Sequence, residues 1–147
     1  MSWLGILAGT IALIGRWAAY LADRLKGRAQ AVKLCLMDQE TVVGVGNIYA
    51  NEALFRAGIR PTTPAHRVSR PRLARLIGEV RAVLTEAIAK GGSTLRDYVD
   101  ASGEPGYFQL DYFAYGREGE PCRACGTAIR HRRLSARASF YCPRCQR

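Results

Sequence analysis

Four of the five cysteines fall into two Cys-x-x-Cys pairs, Cys122-Arg-Ala-Cys125 and Cys142-Pro-Arg-Cys145, with sixteen residues between the pairs. Each pair sets two thiolates on a tight knuckle. A hairpin between the knuckles brings the four sulfurs to the corners of a tetrahedron, the arrangement in which Zn2+ is held in ribbon-type fingers. With four Cys ligands no position is left open for water, so the chemistry such a site supplies is structural: one Zn2+ on Cys122, Cys125, Cys142 and Cys145. A redox dithiol is the competing reading of a Cys-x-x-Cys, and two matched pairs disfavour it. A ribbon this small buries too little surface to fold alone, and metal binding supplies on the order of 10–16 kcal/mol in comparable peptides. Cys35, the fifth, stands between Leu34 and Leu36 and reads as a small core residue. An odd cysteine count with this pairing points to a reducing compartment rather than a disulfide framework.

A second candidate group is Gly44, Gly46 and Asn47, in the stretch Val42-Val43-Gly44-Val45-Gly46-Asn47. Glycines let a backbone approach a phosphate closely, and the helix that follows points unpaired N–H groups at the anion. Asn47 suits the N-cap of that helix and adds a side-chain donor. The charge balance agrees with an anionic partner. The 147 residues carry 22 Lys and Arg against 12 Asp and Glu, a formal charge of +10. From residue 117 to the end there are eight Arg and only Glu118 and Glu120 to oppose them. Nucleic acid leads as the partner and an anionic membrane comes second; a solvated surface is the bland reading of scattered Arg.

The elements that position these groups read as mainly helical. Trp3 to Gly15 is an apolar run too short for a membrane span, with no Lys or Arg before it and no small-residue cleavage site after it. Leu4, Leu7, Ile11, Ile14, Ala18, Leu21 and Leu25 recur at steps of three and four, which predicts one helical stripe packed on a core, with a membrane anchor as the alternative. Residues 36 to 58 predict a helix ending near Asp38 and Gln39, a glycine-broken turn, and a helix stopped by Gly58 and Pro61. A further helix fits Arg70 to Lys90, with Leu73, Leu76, Ile77, Val80, Val83, Leu84 and Ile88 on one face. Gly103 to Gly106 is a loop, and Tyr107 to Tyr115 is short and aromatic. There is no internal repeat.

The run Leu36-Met37-Asp38-Gln39 followed by Val42 to Ala50 resembles the helix-two-turn-helix of the formamidopyrimidine-DNA glycosylase family. Gly91-Gly92-Ser93-Thr94-Leu95, Gly106-Tyr107-Phe108, Tyr115-Gly116-Arg117 and a zinc finger ending Arg137-Ala138-Ser139-Phe140-Tyr141-Cys142 continue the likeness in order, from about residue 20 to the end. The resemblance implies a mainly α fold: a helix-two-turn-helix domain over residues 20–115 followed by a small antiparallel zinc ribbon over 116–147. Residues 1–19 form an unmatched apolar helical segment, and residues 96–106 resemble the loop that closes over a damaged base. It implies that Asn47 and Arg137 grip phosphates flanking an extruded nucleotide, with Gly44 and Gly46 at the same turn. Lys33 matches the family's lysine just before the Leu-Met-Asp run, which implies a phosphate contact, and Lys26 and Arg28 give a basic approach to it; a solvated helix face is the alternative. In the family the finger arginine also assists strand-cleaving elimination, the one catalytic role that comes to Arg137.

The family's reaction uses an N-terminal proline amine, a neighbouring Glu and a lysine on a β-rich first domain, whereas this sequence opens Met1-Ser2-Trp3. Two functional readings follow. One is the damaged-DNA-binding part of a base-excision glycosylase and AP lyase for oxidised purines (8-oxoguanine and formamidopyrimidines), inactive as these residues stand and completed by an N-terminal catalytic domain in trans. The other is a non-catalytic DNA-binding module with a zinc ribbon; the endonuclease-eight-like branch, acting on pyrimidines, is the alternative within the family. The expected partner is double-stranded damaged DNA, met by a monomer in the bacterial cytoplasm at the nucleoid, with a membrane disfavoured.

Overall fold

A computed structural model of the chain describes residues 16–38, 45–89 and 112–147. Gly44, residues 96–106 and the N-terminal part of the predicted stripe lie outside these residues. Residues 16–25 are helical (α1) and bury Ala18, Leu21 and Leu25, steps of three and four that carry one face inward. Helix α2, Val32–Met37, buries Val32, Lys33, Cys35 and Leu36 and ends at Asp38, as its sequence predicts. Its first N–H groups, which no helix can satisfy internally, are taken by a later loop: Val32 N–H donates to Thr63 O (2.7 Å) and Lys33 N–H to Pro61 O (3.3 Å).

Helix α3, Asn47–Ala57, is the hub, buried along most of its length from Ala50 to Ala57 and packed against α2, α4 and the hairpin strand described below. It ends at Gly58, whose φ of 72° is left-handed; Gly58 N–H donates to Phe55 O and Ile59 N–H to Leu54 O. A side chain there would also press on the backbone, since a Cβ would lie 3.3 Å from Cys145 O. After a 3-10 turn, Ala65–Arg67, helix α4 spans Arg70–Ala89 and is clamped to α3 by a two-pronged ion pair from Arg56 to Glu86 (3.1 and 2.7 Å). Leu73, Leu76 and Val83 of its predicted face are buried, with Ile77 and Val80 partly so. Ile88 departs from the expectation and is 78% exposed. Ala87 holds the inward position, and Ile88, one residue further, is turned about 100° away.

The C-terminal part forms an antiparallel hairpin of β1, Arg130–Leu134, and β2, Arg137–Tyr141, paired Arg130 with Tyr141 through Leu134 with Arg137. Ser135, at φ 52°, makes the two-residue turn. Among the described residues the apolar interior divides in two. The larger cluster joins α1 to α4 around Leu54, Ile59, Leu73 and Leu76, each contributing about 1.5–3 kcal/mol. The smaller one joins Phe55, Ala114, Cys122, Ile129 and Cys142 under the hairpin. Neighbouring residues of α3, Leu54 and Phe55, serve one cluster each. The fold is thus mainly α with a small β-hairpin. No helix among the described residues is long and apolar enough to cross a membrane.

Candidate nucleic-acid interface and metal centre

The two knuckles fold as their spacing demands. In the first, Cys122 N–H donates to Thr127 O (2.7 Å) and Gly126 N–H to Cys122 O (2.8 Å); in the second, Cys145 N–H points at Cys142 Sγ (3.3 Å). All four sulfurs lie within 4.8 Å of one another, with Cys122–Cys145 at 3.8 Å and Cys125–Cys142 at 3.5 Å. A tetrahedron with Zn–S bonds of about 2.3 Å has edges of about 3.8 Å, close to these separations, so the cluster fits one Zn2+. Hydrogen bonds with Thr127 hold the Cys125 thiol down at about 6, while burial pushes Cys145 up to about 12. Metal binding requires all four as thiolates. The finger is fastened to the end of α3 by Gln146, fully buried, which donates to Ile59 O (2.9 Å) and accepts from Cys142 N–H (2.8 Å). Arg60 adds bonds to Gln146 O and Pro143 O.

At the other end of α3, three side chains converge on one carbonyl of the hairpin. Lys33 Nζ donates to Ala138 O (2.9 Å) and Ser139 Oγ (2.7 Å), Asn47 Nδ2 to Ala138 O (3.1 Å), and Asn51 Nδ2 to the same oxygen (3.4 Å). Asn51 Oδ1 accepts from Phe140 N–H (2.8 Å), so it grips β2 from both sides of its amide. Arg137, the residue before Ala138, is exposed beside this knot. Two readings of the sequence change here. Asn47 is the first residue of α3, not its cap; Gly46 is the cap, and the Asn47 amide turns to the hairpin instead. Lys33 does not lie on a solvated face: it has no exposed surface, and its ammonium is aimed at β2. Burial, then repulsion from Arg137, lowers its pKa to about 8.

The first helical bond of α3 is Ala50 N–H to Gly46 O (2.9 Å), which leaves the N–H groups of Asn47, Ile48 and Tyr49 outside the ladder. A Cβ on Gly46 would meet only the Tyr49 ring, at 3.8 Å, so the protein interior does not require a glycine there. Among the described residues Asn47 Oδ1 is a buried acceptor with no partner. Lys26 is exposed, whereas Arg28 is 3.7 Å from Asp38 and so partly committed within the fold.

Glu52 is a functional position the sequence reading missed. It is buried, and its carboxylate accepts from the backbone N–H groups of Phe113, Ala114 and Tyr115 (2.9, 2.9 and 2.8 Å), which docks the entry to the finger on α3. The available signal was the polar pair Asn51-Glu52 set among Ala50, Ala53 and Leu54, a polar interruption in a helix buried all round. A cavity of about 620 Å3 lies at the C-terminal end of α3, lined among others by Phe55, Arg56, Arg72 and Arg75. It is at the opposite end of the helix from Asn47.

Comparison with known proteins matches residues 15–99 to the formamidopyrimidine-DNA glycosylase H2TH domain and residues 119–147 to the zinc finger found in FPG and IleRS. The match therefore begins five residues earlier than the sequence motifs suggested. The formamidopyrimidine-DNA glycosylase of Burkholderia mallei is 59% identical over 130 residues, covering 88% of this chain and 48% of that protein. That of Burkholderia thailandensis is 60% identical over 129 residues, covering 88% and 47%. The chain thus spans about half the length of the relatives it matches. The crystal structure of MutM (Fpg) from Thermus thermophilus superposes with a TM-score of 0.78 at 44% identity, covering 88% of this chain and 49% of that one. A Lactococcus lactis Fpg variant bound to Fapy-dG-containing DNA gives 0.78 at 31% identity, covering 88% and 48%.

Proposed function

The chain belongs to the formamidopyrimidine-DNA glycosylase family, and from that membership we propose that it is the part of a base-excision DNA glycosylase and AP lyase that grips damaged duplex DNA. The observation that carries this reading is the knot at Ala138 O. Lys33, Asn47 and Asn51 fix the β2 backbone against the start of α3, so two anion-holding groups from different elements are set side by side. One is the N-terminus of α3 with Gly46 and Asn47; the other is the guanidinium of Arg137. Each takes a phosphate, the helix through unpaired N–H groups and the arginine through two parallel hydrogen bonds. Gly44 stands two residues before Gly46 in the sequence, and Lys26 and Arg28 give a basic approach to the start of α3. Lys33 acts from inside by holding the hairpin.

The lesions are oxidised purines, 8-oxoguanine and formamidopyrimidines. The Lactococcus lactis relative bound to Fapy-dG DNA and a MutM bound to carbocyclic 8-oxo-G DNA support this. The chain acts as a monomer in the bacterial cytoplasm, at the nucleoid. Zn2+ on Cys122, Cys125, Cys142 and Cys145 supplies rigidity to the finger when bound, and the chemistry of base removal is the work of a catalytic N-terminal half. Arg137 assists elimination after that half has opened the sugar.

Binding of a duplex with one 8-oxoguanine, followed by anisotropy, tests the reading. Asn47→Ala and Arg137→Ala are each expected to weaken binding about tenfold to a hundredfold, the worth of a hydrogen bond to a charged group. Unchanged affinity in both variants contradicts it.

A further inference from the structure

Strand β1 presents Arg130, His131, Arg132 and Arg133 in succession, all exposed. Alternation along a strand puts Arg130 and Arg132 on one face. The register sets Leu134 opposite Arg137, Arg132 opposite Ser139 and Arg130 opposite Tyr141, so Arg130, Arg132 and Arg137 share that face. Ser139 Oγ, on which Lys33 Nζ rests at 2.7 Å, lies on it too. His131 and Arg133 occupy the other face, where His131 packs on Phe140 (5.0 Å between centroids) and leans to Glu118 (3.8 Å).

The row is electrostatically unbalanced from within. Among the described residues the ion pairs engage Arg28, Arg56, Arg117 and His131, and no carboxylate pairs with Arg130, Arg132 or Arg137. Like charges two residues apart on one strand, and diagonal across a hairpin, repel, and Lys33 beneath them adds another cation. Anions from outside the fold offset that cost. We propose that Arg130 and Arg132 hold two further phosphates of the duplex whose nearer phosphate Arg137 takes, extending the footprint along the hairpin away from its turn; this rests on the DNA-binding reading above.

The spacing suits a phosphate backbone. At about 3.3–3.4 Å per residue the two arginines start about 6.7 Å apart, a separation from which two long side chains reach neighbouring phosphates of one strand. Each guanidinium spans a phosphate with two donors, and the long side chains take up the curvature. A duplex is favoured over a single strand because this face has no exposed ring on which bases would stack: its aromatic side chain, Tyr141, is buried.

The test uses the full zinc-loaded chain and the slope of log K against log salt between about 50 and 200 mM, each phosphate contact contributing about 0.9. Arg130→Gln with Arg132→Gln is expected to make the slope shallower by about 2 at unchanged zinc content. Arg130→Lys with Arg132→Lys should keep the slope, Arg130→Gln and Arg132→Gln should each alone make it shallower by about 1, and Arg133→Gln, an equal charge loss to either on the other face, should leave it in place. An unaltered slope in the double Gln variant while Arg137→Gln still weakens binding overturns the proposal and spares the function. A loss in Arg133→Gln as large as either single Gln variant also overturns it, since the effect would then be net charge alone. A wild-type chain that binds no duplex at low salt overturns both.

Discussion

Lys33 keeps an ammonium in a site with no exposure, between the carbonyl of Ala138 and the hydroxyl of Ser139. Burial is the main reason its pKa falls to about 8, with the Arg137 guanidinium adding to it. In the unfolded chain the same amine titrates near 10.5. Between these values the unfolded state binds more protons, so the lysine's contribution to stability rises with pH across that window and is smallest below pH 8. The stability of wild type relative to Lys33→Met, by urea unfolding, is therefore expected to increase from pH 8 to pH 10; a decrease would show that the charged form is the one the fold prefers. Asn51 acts by hydrogen bonding without charge. Asn51→Ala leaves Phe140 N–H and Asn47 O without their side-chain partner, at a cost of about 1–3 kcal/mol, or a fall in Tm of roughly 3–10 °C. Its DNA affinity should fall as well, because Arg137 hangs from the backbone that Asn51 holds. A variant with wild-type Tm and affinity would mean that Lys33 and Asn47 suffice to fix β2.

The two apolar clusters make the helices and the finger distinct elements, joined by Phe55 of α3, which packs in the finger's cluster, and by polar bonds: Glu52 to residues 113–115, Gln146 to Ile59, and the knot at Ala138. Removing zinc with a chelator, or Cys142→Ser, is expected to unfold the hairpin and abolish tight DNA binding. Most of the helical circular dichroism should remain, because the core around Leu54 and Leu73 does not include a sulfur ligand. Full loss of helix on chelation would show one cooperative unit instead. These elements were not equally legible in the sequence. The knuckles were, since their geometry is set by two residues between cysteines, and so was the stop at Gly58, whose left-handed φ is a local demand. The burial of Lys33 was not: its partners lie 105 and 106 residues away, and no local pattern announces a contact at that range. For the same reason Asn47 looked like a cap, the local use of an Asn before a helix, until a distant carbonyl claimed its amide. Ile88 misled because a three-and-four stripe describes a helix but says nothing of where the partner surface ends.

At the scale of the molecule, a formal charge of +10 draws the chain to any duplex, and recognition of a lesion needs more than attraction. Extruding a base costs a few kcal/mol in lost stacking and pairing, which an enzyme offsets with groups that fill the gap and pocket the base. On the function proposed above, the helices and finger hold the backbone from one side. Relatives have about twice this length, and on the same proposal the half not matched here is the place for the opposing wall and for an amine that attacks the sugar. A polypeptide of these 147 residues is therefore expected to bind a duplex with one 8-oxoguanine without releasing the base, and borohydride should trap no specific covalent complex. Slow nicking at abasic sites is compatible with this, because any exposed lysine amine forms a Schiff base with an open sugar aldehyde. Supplying the other half of a Burkholderia relative as a separate polypeptide should restore excision, and Arg137→Ala or Asn47→Ala in this chain should then lower the restored rate. Efficient release and trapping by the 147 residues alone would place a nucleophile among them and refute the division of labour.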